Sequence, residues 1–432
     1  MGYSINYNLL YEEFLKMKIQ LSRNFFYNCI MGIVEWIIVI FLILFTGGIW
    51  LLKENSFILY NNSWIRIAVY MAIGIWTIPF MMKKRQVNRK YIIWIAVSLV
   101  CAAIPLLESV NTINFAILRF YCPIGLGLLI GLYVPRENFW KLLNKFITIM
   151  FLIACISLFF WIFGAILQVI PSSGDIYFEW NDIRKAKSYF GLYYVPLWQI
   201  IVIGNSQIVR NCGIFTEAPM YGFLLCVAYS FYRMREKQKR WVGIIIVVTI
   251  LSTIGTTAII YLLLFEVISF GLKKSGNNIM GLLKFFLFFI IAIISTIVIY
   301  NLVISKFLTG SGSVRQDHFR VALELFKATF PFGCGIGNFL SFERLEIYKQ
   351  GLSIGLPTVY AMTGVGGMVI TLFPLGYLSV TSMLKKEWKL FAFVVAFLWI
   401  SICTSVQFNS PFSWLIILYA AKGTEGFVAD SQ

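Results

Sequence analysis

An arginine and a carboxylate, Arg210 and Glu217, lie seven residues apart in the stretch RNCGIFTEAP at positions 210–219. The stretch marks the point where a polar segment enters an apolar helix, in a chain that is otherwise almost wholly compatible with a lipid bilayer. Charges kept at such a boundary are costly unless they act on a charged ligand or in a reaction. We therefore expect these two residues to act on an anionic substrate that is bound to a membrane.

The composition is that of an integral membrane protein. Apolar residues make up 59% of the 432 residues and charged residues only 13%, and the mean hydropathy is +0.81. These values exclude a soluble globular domain. The first 28 residues carry charges of both signs and are too long and too mixed for a cleaved signal peptide. The first apolar run is therefore expected to act as an uncleaved start-transfer helix.

Runs of about 20 apolar residues recur along the chain, and each is long enough to cross a bilayer as a helix. They predict an all-α, polytopic fold in which residues 1–432 form one transmembrane domain of about twelve helices. The predicted spans are Cys29–Leu52, Trp64–Met82, Tyr91–Leu107, Ile113–Val134, Leu142–Ile170, Glu217–Tyr232, Trp241–Ser252, Thr256–Leu272, Ile279–Ile304, Tyr360–Leu384, Leu390–Thr404 and Phe412–Ala421. Basic residues follow every second span, which predicts that both termini lie in the cytoplasm.

The formal net charge of +17 agrees with this topology. The basic residues are spread over the predicted cytoplasmic loops, where anionic headgroups favour them. We interpret them as determinants of membrane orientation, with membrane lipids as their partners, and we expect no nucleic-acid partner.

Two predicted loops are long, and both are expected on the outward side. Loop 1 comprises residues 171–216 and loop 2 comprises residues 305–359. Within loop 1, residues 189–196 are aromatic and are expected at the membrane surface, and residues 198–203 are apolar enough to dip toward the bilayer. Because long ordered loops in compact proteins are usually functional, we expect the chemistry in these two loops.

Loop 2 combines a flexible opening, a short helix and a turn. The Gly-Ser-Gly-Ser stretch at 310–313 is expected to be flexible. The amphipathic pattern from Val321 to Thr329 predicts a helix, which Pro331 ends. A compact turn is predicted where glycine recurs at every second position, at Gly333, Gly335 and Gly337.

Four arginines are candidates for binding an anion, since the guanidinium group binds phosphate oxygens bidentately and stays charged in a partly dry site. Arg210 is the first, and its alternative role is that of an interfacial arginine that reaches the headgroups. Arg315 and Arg320 lie five residues apart in loop 2, on different faces of a helix, so they need not contact one ligand. Arg119 lies in the outer third of the fourth span, where it would either reach the interface or face a polar cavity.

Two residues are candidates for a general base. Glu217 could accept a proton, hold Arg210, or simply be an acidic residue at a helix N-terminus beside Pro219. His318 is the single histidine and the only side chain whose unperturbed pKa lies near neutral pH, although a lone histidine is more often structural. Asp317 beside it is expected to be a solvated loop carboxylate or an N-cap. No cluster has the spacing of metal ligands, so neither a metal nor a cofactor is expected.

The order of these motifs resembles that of the O-antigen ligase and polymerase superfamily, in particular its capsule and O-antigen polymerases. Loop 1 is similar to the superfamily's R-x-x-G-x-F-x-E signature, with the fixed positions at Arg210, Gly213, Phe215 and Glu217. Loop 2 is similar to its downstream block, which here reads Arg315, Ala322-Leu323, Pro331, Gly333, Gly335 and Gly337. The Ser/Thr-rich turn at 252–257 resembles a short outward turn of the superfamily. The histidine-asparagine pair of the ligases is absent, which argues against a ligase.

The resemblance implies a membrane glycosyltransferase with a GT-C-like fold that joins oligosaccharide repeat units on the outer face of a bacterial cytoplasmic membrane. The implied substrate is an undecaprenyl-diphosphate-linked oligosaccharide, and a chain-length regulator is an implied partner. The four arginines would bind the lipid diphosphate, on which charge builds as the bond breaks. Glu217 or His318 would be the base for the attacking hydroxyl group.

Two other classes of protein stay open. A flippase or another transporter for the same lipid-linked oligosaccharide is expected to show internal repeats and polar groups inside its spans. A membrane-bound acyltransferase is expected to use a buried histidine with a carboxylate on a cytoplasmic or intramembrane helix, whereas the single histidine here lies in the outward loop 2. The concentration of polar residues in two outward loops favours the polymerase.

Overall fold

The computed structural model describes residues 29–52, 62–82, 89–105, 115–180, 182–203, 206–235, 238–272, 297, 310–348, 353–405 and 410–428. Most of these residues are helical. The helices are α1 (Cys29–Leu44), α2 (Asn62–Met82), α3 (Arg89–Ala103), α4 (Phe115–Tyr133), α5 (Arg136–Phe160), α6 (Ala218–Met234), α7 (Arg240–Ser252), α8 (Thr256–Gly271), α9 (Gly310–Ala328), α10 (Phe339–Glu343), α11 (Leu356–Leu384), α12 (Trp388–Cys403) and α13 (Pro411–Tyr419). A π-helical turn extends α5, and 3-10 turns lie at Ile49–Leu51, Leu197–Gln199 and Ala420–Gly426.

Three helices in the described part of the chain are long and apolar enough to cross a membrane: Trp64–Met82, Arg136–Ile166 and Leu356–Leu384. Shorter apolar helices accompany them, at Cys29–Leu44, Tyr91–Ala103, Phe120–Tyr133, Arg240–Ser252, Thr256–Gly271 and Trp388–Cys403. The prediction of a mainly helical membrane protein is thus confirmed, whereas the count of twelve spans and their orientation stay predictions. The predicted span Ile279–Ile304 lies outside the described residues apart from Ile297.

The first helix is shorter than the predicted span Cys29–Leu52. It ends at Leu44, and Gly47 follows with a φ of +97°. The backbone then pairs with the end of loop 1: the Ile49 N–H donates to the Ile214 carbonyl at 2.9 Å, and the Gly47 carbonyl accepts from the Thr216 N–H at 3.0 Å. Hydropathy could not predict this end, because several residues after Leu44 are still apolar.

Loop 1 contains β-strands, which corrects the all-α prediction for this segment. The strands β1 (Gly174–Trp180), β2 (Asp182–Tyr189) and β3 (Tyr193–Pro196) form an antiparallel sheet in that order. The strands β4 (Ile200–Ile203) and β5 (Ser206–Val209) form a separate antiparallel hairpin. Loop 1 is therefore an ordered unit that can hold side chains in fixed positions.

Alternation of side chains explains why β1 and β2 form. Phe178 and Ala186 are buried, whereas Tyr177 and Ile183 are exposed, as expected when successive side chains point to opposite faces of a sheet. The residues predicted at the membrane surface and dipping toward the bilayer lie in and beside β3 and β4, and their depth in a membrane stays a prediction.

Helix α6 is buried almost all round. Every residue from Met220 to Tyr232 is buried, and the helix packs against α5, α7, α8 and α12. A helix that is apolar on all faces belongs in the interior, and the polar groups it does carry are paired: the Tyr221 hydroxyl lies 2.8 Å from the Ser157 hydroxyl, and Ser230 lies 2.7 Å from the Tyr261 hydroxyl. The N-terminus of this central helix follows Glu217.

The glycine turn of loop 2 packs against a kink in α11. The kink lies at Gly364, with φ of +60° and ψ of −147°, and it frees backbone groups from the helix ladder. The turn provides new partners for them: the Cys334 N–H donates to the Ala361 carbonyl at 2.9 Å, and the Val365 N–H donates to the Pro331 carbonyl at 2.9 Å. Gly333, Gly335 and Gly337 all have positive φ, so the predicted compact turn is confirmed.

We expect Gly364→Ala to destabilise the protein by at least about 1–3 kcal/mol, the cost of a residue in a sparsely populated backbone region. A Cβ at Gly364 would also overlap the Pro331 carbonyl oxygen. The matched control is Gly376→Ala in the same helix, where a Cβ meets no atom within 4 Å. Unfolding temperatures of the two variants in detergent test this, and equal values would contradict the role given to the kink.

Candidate functional site

Asn211 fastens the segment from Arg210 to Glu217 to the end of α7. The Asn211 N–H donates to the Ser252 carbonyl at 3.1 Å, and its side-chain amide donates to the Ser252 hydroxyl at 2.9 Å. Its side-chain oxygen accepts from the Gly213 N–H at 3.1 Å. Asn211 is fully buried, so it ties the segment to the end of α7.

Gly213 is required by both conformation and space. Its φ is +59°, and a Cβ there would lie 3.0 Å from the ring of Tyr221. The Gly213 carbonyl also accepts from the Tyr194 N–H of β3 at 3.0 Å. Together with the bonds of Ile214 and Thr216 to the residues after α1, these contacts give the segment a fixed backbone. Both ends of the signature are therefore held in place.

Arg210 is half-buried, and two neutral oxygens hold its guanidinium group. The Nε–H donates to the Thr253 carbonyl at 2.9 Å, and Nη1–H donates to the Gln199 Oε1 at 3.0 Å. Burial lowers the pKa of Arg210, and the charge of Arg315 lowers it further, while Glu217 acts in the opposite direction. An arginine stays protonated under such shifts because its ordinary pKa is so high.

Arg315 comes from loop 2 and lies in the same site. It projects from α9, and its Nη1–H donates to the hydroxyl of Thr257 in the first turn of α8 at 3.4 Å. Burial also lowers the pKa of Arg315, and Glu217 partly opposes this shift. Thr253, which accepts from Arg210, and Thr257 belong to the same short turn. The structure thus brings the arginines of the two loop motifs to one place, and the charge of Glu217 acts on both. The Ser/Thr-rich turn provides their partners.

Glu217 directly precedes α6, at the N-cap position, with φ of −140° and ψ of 142°, but its side chain makes no capping hydrogen bond. The alternative of an acidic residue at a helix N-terminus is therefore confirmed in position, but without a capping hydrogen bond. Cys212, the other titratable group beside Arg210, is fully buried, and burial raises its pKa to about 12. The thiol is thus neutral near pH 7. Among Arg210, Arg315, Cys212 and Glu217 there are two guanidinium groups and one carboxylate. The group of four therefore has a net positive charge, which is suited to an anion.

Arg320 and Asp317 bind each other. Arg320 Nη2–H donates to Asp317 Oδ1 at 2.7 Å and to the Leu345 carbonyl at 2.8 Å, and Nη1–H donates to Glu324 at 3.0 Å. Asp317 is only 5% exposed and accepts from the Ile347 N–H at 2.7 Å. The prediction of a solvated or capping aspartate is therefore wrong, because α9 begins at Gly310 and already includes the residues predicted as a flexible opening.

Arg119 falls within α4, and its side chain lies outside the described residues. Its role in binding a diphosphate stays a prediction. The role of Arg320 also stays a prediction, although its contacts with two carboxylates account for its charge without a ligand.

His318 is fully buried in loop 2. Its Nδ1 accepts from the Ser353 N–H at 3.1 Å and lies 2.7 Å from the Ser353 hydroxyl. Its Nε2 lies 3.8 Å from Glu346 Oε1 and makes no hydrogen bond within the described part of the chain. A general base must reach the proton it removes, and the enclosed ring does not. The geometry favours Glu217 as the base and gives His318 a role in holding loop 2.

Comparison with protein-family models, with curated proteins and with solved structures finds no match to this chain. The resemblance to the polymerase superfamily therefore stays a prediction. What the fold and the site define is a mainly helical membrane protein with a half-buried, positively charged candidate site.

The residues that hold Arg210 and Arg315 were not predicted individually from the sequence. Thr253 and Thr257 lie in the Ser/Thr-rich turn, so the turn was a pointer to them. Gln199 is a single polar residue in the apolar run around β4, and only the hairpin register reveals that it faces Arg210. Asn211 lies inside the signature at one of its variable positions.

We expect the stability of loop 2 to fall at acidic pH through His318. Burial lowers the pKa of His318, although Asp317 acts in the opposite direction. The folded protein thus favours neutral imidazole, whose contribution is fully present above the unfolded pKa of about 6.5 and is lost as pH falls below it. The unfolding temperature of wild type should fall more steeply below that pH than that of His318→Gln, which can accept the Ser353 N–H but does not titrate. Parallel curves for the two proteins would contradict this.

Proposed function

We propose that this protein is a polysaccharide polymerase that joins oligosaccharide repeat units carried on undecaprenyl diphosphate. The observation that supports the proposal is that Arg210 and Arg315, from two loops that are far apart in the chain, both bond to the turn at residues 252–257, with Glu217 acting on both. Two half-buried guanidinium groups with neutral oxygen partners are suited to a multiply charged anion. A diphosphate leaving group is such an anion.

In the proposed reaction, the hydroxyl group of one repeat unit attacks the anomeric carbon of another. A carbon–oxygen bond forms there, and the bond from that carbon to the diphosphate oxygen breaks. The electron pair leaves with the lipid diphosphate, whose growing charge Arg210 and Arg315 stabilise. Glu217 accepts the proton of the attacking hydroxyl group. Each step uses only side chains of the chain and its two substrates.

The proposed setting is the outer face of a bacterial cytoplasmic membrane. About twelve spans with both termini in the cytoplasm would place loops 1 and 2 on that face, where the lipid-linked substrate would approach from the side. A GT-C-like arrangement, a chain-length regulator as partner, and diphosphate contacts from Arg119 and Arg320 are further parts of the proposal. They rest on the resemblance rather than on contacts of the described residues.

We expect cells that lack the gene to make single repeat units and to recover a ladder of polymer lengths with the wild-type gene. Arg210→Ala and Arg315→Ala should reduce polymer formation by about 100-fold or more, because each removes a charge that stabilises the leaving group. Glu217→Gln should reduce it by about 100-fold to 10,000-fold through loss of the base. The measurement is a gel stained for polysaccharide, at matched protein levels.

The matched control is Lys187→Ala, which removes an exposed cation from loop 1 and should leave the ladder unchanged. If all three site variants restore a full ladder, the site is misplaced. If cells without the gene instead accumulate undecaprenyl-linked units on the cytoplasmic face, the protein is a flippase and the polymerase proposal fails.

A further inference from the structure

Gln199 and Arg210 flank the hairpin of β4 and β5. The hairpin pairs Ile200 with Val209, so the next pair along the ladder is Gln199 with Arg210, and the Arg210 N–H donates to the Gln199 carbonyl at 3.4 Å. Residues directly opposite in an antiparallel pair place their side chains on the same face. The hairpin therefore brings the Gln199 amide beside the guanidinium group, where Oε1 accepts from Nη1–H at 3.0 Å.

Gln199 is a neutral partner of Arg210, whereas the usual partner of an arginine with little exposure to water is a carboxylate. It is only 9% exposed, and buried charged side chains are usually paired with an opposite charge. A carboxylate at this position would cancel the charge of Arg210, whereas an amide oxygen orients the guanidinium group and leaves its charge available. The Thr253 carbonyl acts on Nε–H in the same way. Nη2 then makes no hydrogen bond to the described residues.

We propose that Gln199 is a positioning residue for the diphosphate of the substrate, orienting Arg210 through its amide oxygen and keeping the site positive through its neutrality. This role rests on the polymerase function proposed above. A diphosphate carries several negative charges, so its affinity depends strongly on how much of the arginine charge is left uncompensated. Gln199 acts on the ligand through Arg210.

The test uses full-length protein in detergent, with inorganic pyrophosphate as the probe and calorimetry as the measurement. Gln199→Glu keeps an acceptor for Arg210 and adds a negative charge, and we expect it to weaken binding by at least about tenfold. Gln199→Met keeps the approximate volume and removes the acceptor, and we expect a smaller loss of about three- to fivefold. Gln207→Glu is the matched control, since Gln207 lies exposed on β5, and it should bind like wild type.

The order of the two Gln199 variants separates this role from a purely structural one. A structural hydrogen bond would persist in Gln199→Glu and be lost in Gln199→Met, so the methionine variant would be the weaker binder and the less stable protein. The role of Gln199 would be overturned by any of three results, each of which leaves the polymerase proposal standing. These are weaker binding by Gln199→Met than by Gln199→Glu, wild-type affinity in Gln199→Glu, and an unfolded Gln199→Glu protein. Absence of pyrophosphate binding in wild type would instead show that the anion site is wrong, and both proposals would fail.

Discussion

The candidate site depends on holding two half-buried guanidinium groups by mostly neutral partners. Removing an ion from water is costly unless partners replace its hydration, and here the partners are mostly neutral: the Thr253 carbonyl, the Gln199 amide and the Thr257 hydroxyl. Neutral acceptors supply hydrogen bonds but little counter-charge. Glu217 is therefore the main opposing charge in the site, and one carboxylate against two guanidinium groups leaves the site net positive.

Neutral acceptors can orient the guanidinium groups only if the backbone that carries these acceptors is fixed. Asn211 ties the Arg210 segment to the end of α7, and the residues after α1 pair with its other end. The segment then runs into α6, which is buried from Met220 to Tyr232. Close packing of that helix leaves little freedom at its N-terminus, so Glu217 and Arg210 keep their places relative to α7 and α8.

The sequence allowed the helices and the charged residues to be predicted, but not the details that make a site of them. Hydropathy located α2 closely and gave the start of α8, since a bilayer demands long apolar runs. It missed the end of α1 at Leu44, because apolar residues continue beyond it. It also missed the strands of loop 1, because β1 and β2 mix polar and apolar residues and form no long apolar run. The contact of Arg210 with Gln199 was also invisible, since it arises from hairpin register. Asp317 was expected to be a solvated or capping carboxylate, and it is buried instead.

Loop 2 sets the position of Arg315 through irregular backbone that is satisfied within the protein. Helix α9 carries Arg315 near its beginning and leads at its other end into the glycine turn. That turn bonds to the groups freed by the kink at Gly364, as buried backbone groups must find partners inside the protein. Arg320 and Asp317 further fasten α9 to the residues after α10. The kink and the fastened loop together define the position of Arg315, which contacts the same turn as Arg210.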